Sequence, residues 1–187
     1  MSDLQKIGTQ APEFRYATPW KNNLQFQQVL HGKKGYLVFL RYYGCSLCQL
    51  QLMKYIKHYE RFRKANVELF VVLQSEPETI REQVDEDKIP FTIICDPNQE
   101  LFALYGVRAA SSEAELKNIE PGKWQNFLDE VQANGITHGK YEGNELQLPA
   151  VFLIDETNRI SFLHYGLNGA DIPEIEELLT IASSVLN

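Results

Sequence analysis

The chain has 187 residues, 44% hydrophobic and 23% charged, the balance of a globular domain rather than of a disordered or fibrous chain. Eighteen Lys and Arg stand against 25 Asp and Glu, a formal charge of −7, which argues against a dominant role in binding nucleic-acid phosphates. The longest apolar runs, such as Phe70-Val71-Val72-Leu73, are strand-sized and far short of a membrane span, and Met1-Ser2-Asp3-Leu4-Gln5-Lys6 lacks the apolar stretch of a secretory leader.

No repeat, low-complexity tract or linker interrupts the sequence, so a single domain over residues 1–187 is expected. In chain order, Phe14–Ala17 and Leu24–Phe26 are a weak pair that suits an N-terminal hairpin. Tyr36–Tyr42 is a nearly continuous apolar run, as a strand covered on both faces should be. From Ser46, the residues Leu47, Leu50, Met53, Ile56, Tyr59 and Phe62 recur at a spacing of three, which predicts a helix with one buried stripe. Val67–Leu73 reads as a strand, and Ser75-Glu76-Pro77-Glu78 as a capping box that opens a helix. Phe91–Cys95 is a short strand. Asp96-Pro97-Asn98-Gln99 repeats the capping logic ahead of Leu101, Phe102 and Leu104, and Gly106 supplies the stop.

The stretch Arg108–Leu148 is expected to hold a helix from Pro121 to about Asn134, ending at Gly135. Ala150–Ile154 and Ile160–Tyr165 are strands. Asp171-Ile172-Pro173-Glu174 starts a last helix that buries Ile175, Leu178, Leu179 and Ala182. Strands alternating with helices define an α/β layered fold.

The three cysteines cannot form a complete set of internal disulfides. Without a leader the compartment is expected to be reducing, so a cytoplasmic location follows, and there a close Cys pair points to redox or metal chemistry. The pair is Cys45-Ser46-Leu47-Cys48. Cys45 leaves a hydrophobic strand and enters a helix, whose unpaired N–H groups and positive end stabilise a thiolate. Arg41 adds a positive charge if it turns toward the sulfur. Cys48 sits one turn inside, placed to attack a mixed disulfide at Cys45. Two bland readings stand beside this one. A closed zinc site needs four ligands, but Cys95, His31, His58, His138 and His164 are scattered. Alternatively, both cysteines are buried packing residues. Cys95 itself reads as a buried thiol. Farther on, Leu148-Pro149 places a proline at the first residue of a buried strand, where the missing donor is tolerated.

With these motifs in place, the sequence resembles the thioredoxin superfamily and, within it, the alkyl hydroperoxide reductase / thiol-specific antioxidant (peroxiredoxin-like) family, in its Cys-x-x-Cys branch. The resemblance rests on Gly8-Thr9-Gln10-Ala11-Pro12-Glu13-Phe14, on Phe39 through Cys48, and on Cys95-Asp96-Pro97 with Leu104-Tyr105-Gly106-Val107. Gly143–Gln147 leading into Phe152-Leu153-Ile154-Asp155 adds to it, as do His164-Tyr165-Gly166 and Asp171-Ile172-Pro173. It implies a thioredoxin-like fold: a central mixed sheet flanked by helices, with an N-terminal hairpin and an inserted segment before the penultimate strand. It also implies a thiol-disulfide oxidoreductase with an antioxidant role, in which Cys45 attacks a disulfide or peroxide and Cys48 resolves. Arg41 and the Cys45 backbone amide would steady the thiolate. Tyr43 and Gly44 would border the substrate, and Leu148 and a cis-Pro149 would face the helix start, the Leu148 backbone pairing with an extended substrate.

No cofactor or metal is implied. Electrons would come from a thioredoxin- or glutathione-type reductant, the substrate would be a protein or small-molecule disulfide or peroxide, and neither nucleic acid nor membrane is a partner. The oligomeric state stays open. Two departures favour disulfide exchange over direct peroxide reduction: no Thr precedes Cys45 in the family's Pro-x-x-x-Thr-x-x-Cys pattern, and Pro149 stands where typical members carry Arg. Two alternatives remain: a thiol peroxidase forming a Cys45 sulfenic acid, and a non-catalytic redox-responsive binding module.

Overall fold

In the N-terminal region, β1 (Arg15–Tyr16) and β2 (Leu24–Gln25) pair antiparallel as the expected hairpin. They lead into a short helix, α1 (Phe26–Leu30), which buries Phe26 and Leu30 and has no counterpart in the sequence reading. The structure, a computed structural model, describes residues 4–184; the Met1–Asp3 part of the leader reading lies outside them. The apolar run then folds as β3 (Lys34–Phe39), buried at every position. It stops at Phe39 rather than Tyr42. Beyond that point Leu40 donates to the Val72 carbonyl and Gln74 to the Arg41 carbonyl, so the chain peels off into a loop that positions the cysteines.

The loop enters α2 (Ser46–Lys64), which is followed by β4 (Val67–Leu73), α3 (Pro77–Arg81), a 3₁₀ turn at Glu86–Lys88, and β5 (Thr92–Cys95). Next come α4 (Glu100–Leu104), α5 (Glu113–Leu116) and α6 (Pro121–Ala133). The chain closes with β6 (Ala150–Ile154), β7 (Ile160–Tyr165) and α7 (Ile175–Ser184). The five long strands form one sheet in the order β5-β4-β3-β6-β7. β3, β4 and β5 are parallel, while β6 pairs antiparallel with β3 and β7 antiparallel with β6, which makes the sheet mixed. One core packs between the sheet, α2 and α7, around Tyr36, Val38, Tyr55 and Leu178. A second core covers the other face, around Phe26, Phe39, Phe102, Tyr105 and Phe152.

Three local readings need correction. A spacing of three advances only about 300°, so a stripe drawn that way drifts around a helix of 3.6 residues per turn. Of the expected stripe, Leu50 and Phe62 are buried and Leu47 and Tyr59 pack against the core, but Met53 and Ile56 are exposed, and Cys48, Leu52 and Tyr55 complete the buried face of α2. Ser75 caps nothing: its hydroxyl accepts the Tyr43 N–H at 2.9 Å and donates to the Glu142 carboxylate at 2.9 Å. Asp171 does not open α7; its carboxylate takes the Leu167 N–H and the His164 ring, and the helix begins at Ile175. Asp96 does cap, from a turn ahead, accepting the N–H groups of Glu100, Leu101 and Phe102. Among the described residues no helix is long and apolar enough to cross a membrane.

Candidate active site

Cys45 occupies the N-cap of α2 at the exit of β3, the strand–helix junction the sequence indicated. Its own N–H is spent on the Tyr42 carbonyl at 3.3 Å, so it does not steady the sulfur as expected. That part falls to the N–H groups of Cys48 and Leu47, which face the sulfur across the open first turn. The Cys48 thiol, hydrogen-bonded to the Cys45 sulfur, holds Cys45 down at about 6 against the burial that pushes it up, and the Arg41 charge adds to the lowering. Cys48 moves the other way: burial first, then the hydrogen bond and charge of Cys45, raise it well above the usual thiol range. Both thiols are free and almost fully enclosed. Cys95, also buried, is pushed up to about 12 by desolvation and lies apart from the pair at the end of β5.

Arg41 is placed by a segment far away in sequence. Its Nη1 donates to the Glu145 carbonyl at 2.8 Å and lies 3.9 Å from the Glu145 carboxylate, with the side chain only 14% exposed. Tyr42, fully buried, donates its hydroxyl to the same carboxylate at 2.8 Å and meets the His138 ring nitrogen at 3.1 Å. Gln74 accepts the Asn144 N–H at 2.6 Å, and Ser75 holds Glu142, so residues 142–145 are fastened along the ends of β3 and β4. Sequence reasoning missed Tyr42, Gln74, Ser75, His138, Glu142 and Glu145. The only signal available was the Gly143–Gln147 run, which carried the resemblance without showing what it touched.

Gly44 has a different role from the one expected. The backbone of Gly139 and Lys140 lies directly on it, with the Gly139 N–H on the Gly44 carbonyl at 2.8 Å, and a Cβ on Gly44 would collide with the Lys140 carbonyl oxygen. Gln49 ties the same loop down by bridging the Gly44 and Thr137 carbonyls at 3.0 Å each. The glycine therefore admits a covering loop, not a substrate. The Tyr43 N–H is spent on Ser75 and its half-buried side chain packs against the core.

At the start of β6 the backbone of Leu148 is already occupied. Its N–H goes to the Arg108 carbonyl at 3.4 Å, its carbonyl accepts from the Gln147 amide at 3.2 Å, and its side chain packs with Ala110 and Leu116. That leaves nothing for strand addition by a substrate. The implied cis bond before Pro149 is absent, as no cis peptide occurs among the described residues. The Pro149 carbonyl accepts the Gly166 N–H at 2.9 Å, which extends the β6–β7 ladder through a straight, trans chain. Pro149 shares a cavity with one of the pair: with Arg41, Leu47 and Cys48 it lines a space of about 650 Å³ between α2, α6 and the 164–174 loop.

A buried dithiol with split acidities, at a helix start above a mixed five-stranded sheet of thioredoxin-like architecture, defines a thiol-dependent oxidoreductase. Residues 7–163 match the AhpC/TSA family, and the chain belongs to that family of antioxidant proteins. No curated protein sequence matches it. Among solved structures it is similar to a cysteine-to-serine variant of peroxiredoxin 6 of Arenicola marina (TM-score 0.71, 17% identity, covering 97% of this chain and 73% of that one). It is also similar to a yeast mitochondrial 1-Cys peroxiredoxin (TM-score 0.69, 19% identity, 97% and 76% covered). A thiol peroxidase of Chromobacterium violaceum is matched over 100% of this chain and 91% of its own, at TM-score 0.66 and 15% identity. At these identities the likeness speaks for the fold.

Proposed function

We propose that the chain reduces peroxides through Cys45, with Cys48 as the resolving thiol. The observation that carries this reading is the split of the pair: Cys45 at about 6 is a thiolate at neutral pH, while Cys48 one turn inside keeps its proton. The Cys45 thiolate attacks the near oxygen of R–O–O–H and the O–O bond breaks. The alkoxide leaves and takes up a proton as an alcohol, and Cys45 becomes a sulfenic acid. Cys48 then attacks the Cys45 sulfur and gives up its proton to the departing hydroxide, which leaves as water, and a Cys45–Cys48 disulfide forms. Arg41 supplies positive charge to the attacking sulfur. A thioredoxin- or glutathione-type thiol returns two electrons; in the yeast relative, thiol resolution is described through glutathione/thioredoxin systems. A reducing, cytoplasmic setting suits this cycle.

Disulfide exchange at the same pair is the second reading, favoured by Pro149 and Cys48 lining one cavity. One equivalent of hydrogen peroxide added to the reduced protein should yield the Cys45–Cys48 disulfide by mass spectrometry. Cys48→Ser should stop at a sulfenic acid on Cys45, and Cys45→Ser should consume no peroxide. Exchange with a model disulfide in a protein that leaves peroxide untouched would replace the first reading by the second.

A further inference from the structure

The loop that roofs Gly44 meets the exit of β3 through a row of polar contacts. His138 Nδ1 lies 2.9 Å from the Gly139 carbonyl, and its Nε2 lies 3.1 Å from the Tyr42 hydroxyl. That hydroxyl lies 2.8 Å from Glu145 Oε2. A carbonyl only accepts, so Nδ1 carries a proton. The phenol has one proton to give and two neighbours able to take it. Glu145 settles the choice. Its Oε1 is buried without a hydrogen-bond partner, and the Arg41 guanidinium stands 3.9 Å from Oε2, beyond hydrogen-bond distance, so the carboxylate depends on the Tyr42 proton. With the phenol committed to Glu145, Nε2 must donate to the phenol oxygen. A ring that donates from both nitrogens is an imidazolium. A neutral ring with its proton on Nδ1 turns a lone pair toward the phenol instead: it draws the proton away from Glu145 or loses its own contact.

We infer that His138 is a proton-operated clasp on the loop beside Cys45: as the imidazolium it ties residues 137–140 to Tyr42, and as the neutral ring it lets them lift. The proton comes from solvent, to which His138 is exposed, and histidine is the side chain that changes charge between about pH 5 and 8. The clasp adds to bonds that do not titrate, the Gly139 N–H on the Gly44 carbonyl and the Gln49 amide on the Thr137 carbonyl, so its release loosens the loop without freeing it. Tyr141 stacks on the ring with centroids 4.1 Å apart. The titratable and charged groups around the cluster are Arg41, Tyr42 and Cys45 from the β3 exit, and Lys140, Tyr141, Glu142 and Glu145 from the loop itself. Gln49 of α2, Ser75 after β4, and Gln83 complete the surroundings and carry no charge. The inference needs no step of the peroxide cycle.

Hydrogen exchange of the Gly139 N–H, which donates to the Gly44 carbonyl, reads the clasp. Rates between pH 5 and 8 are divided by the rate of an unstructured chain at each pH, so that only protection remains. In the parent, protection should fall at least threefold as the ring loses its proton. His138→Gln sets an N–H where the ring Nε2 stood, at every pH, so its protection should stay at the acid level throughout. His138→Phe keeps a ring against Tyr141 with neither donor nor acceptor, and its protection should stay at the low level the parent reaches at pH 8. A parent without pH dependence overturns the inference, as does either variant that follows the parent's pH profile. Cys45 changes charge in the same range, near 6. In Cys45→Ser the fall in protection should persist; its disappearance would assign the effect to the thiol and overturn the clasp. None of these measurements uses peroxide, so failure of Cys45 to reduce peroxide bears on the proposed function alone.

Discussion

Arg41 shows how one side chain is set by groups remote in sequence and in turn sets another. Its guanidinium is held by Glu145, 104 residues away, and its charge helps keep Cys45 at about 6. The thiolate fraction therefore rises with pH through that value and falls below it. The rate of Cys45 alkylation by iodoacetamide should rise with pH to a plateau, with its midpoint near 6. Arg41→Ala removes an opposite charge and should move that midpoint up by about one pH unit or more; an unmoved midpoint would mean the charge is screened from the sulfur. Cys95, pushed to about 12, should stay unmodified throughout that range. Cys45, Cys48 and Arg41 were legible in the sequence because their logic is local: a strand end, a helix start, a four-residue step. Tyr42 and Glu145 were not, since their hydrogen bond spans 103 positions and neither neighbourhood announces the other.

At the level of elements, the inserted region supplies what the strand–helix junction lacks. Residues 137–145 roof Gly44, hold Tyr42 and anchor Arg41, and α6 walls the cavity with its ion pair from Glu130 to Lys54 on α2 at 3.0 Å. A helix from Pro121 to about Asn134 was readable from its proline start and Gly135 stop, and it is there. That the loop after it closes over Gly44, next to Cys45, was not readable, because a backbone-to-backbone contact at Gly44 leaves no trace in side-chain pattern. The requirement for glycine there is testable. Gly44→Ala forces its Cβ into the Lys140 carbonyl, so the loop must lift. The expected result is a loss of about 1–3 kcal/mol in urea unfolding, typical of overpacking, together with faster alkylation of Cys45. A variant that loses stability while alkylation stays as slow as in the parent would show that this loop does not control access.

Across the whole molecule, the sheet separates the task of staying folded from the task of holding the thiols. The sheet order and the burial of β3, β4 and β6 follow from continuous apolar runs that only a doubly covered sheet can bury. The stripe on α2 was wrong at Met53 and Ile56 because a spacing of three drifts off a helical face within a few turns. The last helix is fastened at the end of the sheet away from the site. Tyr36 donates to the Leu178 carbonyl at 2.6 Å and the buried Lys34 donates to the Ala182 carbonyl at 2.9 Å, both from the first half of β3, whereas the cysteines follow its far end. Leu178 is fully buried against that region, so Leu178→Ala should lower unfolding stability by about 2–5 kcal/mol through lost burial and the cavity left behind. Tyr36→Phe removes one hydrogen bond of the clamp and should cost only about 1 kcal/mol. Neither substitution should move the alkylation midpoint of Cys45 from about 6, because the groups that set it, Cys48, Arg41 and the first-turn N–H groups, lie at the opposite end of the strand. A shift of that midpoint in Leu178→Ala would show that α7 and the site form one mechanical unit instead of two.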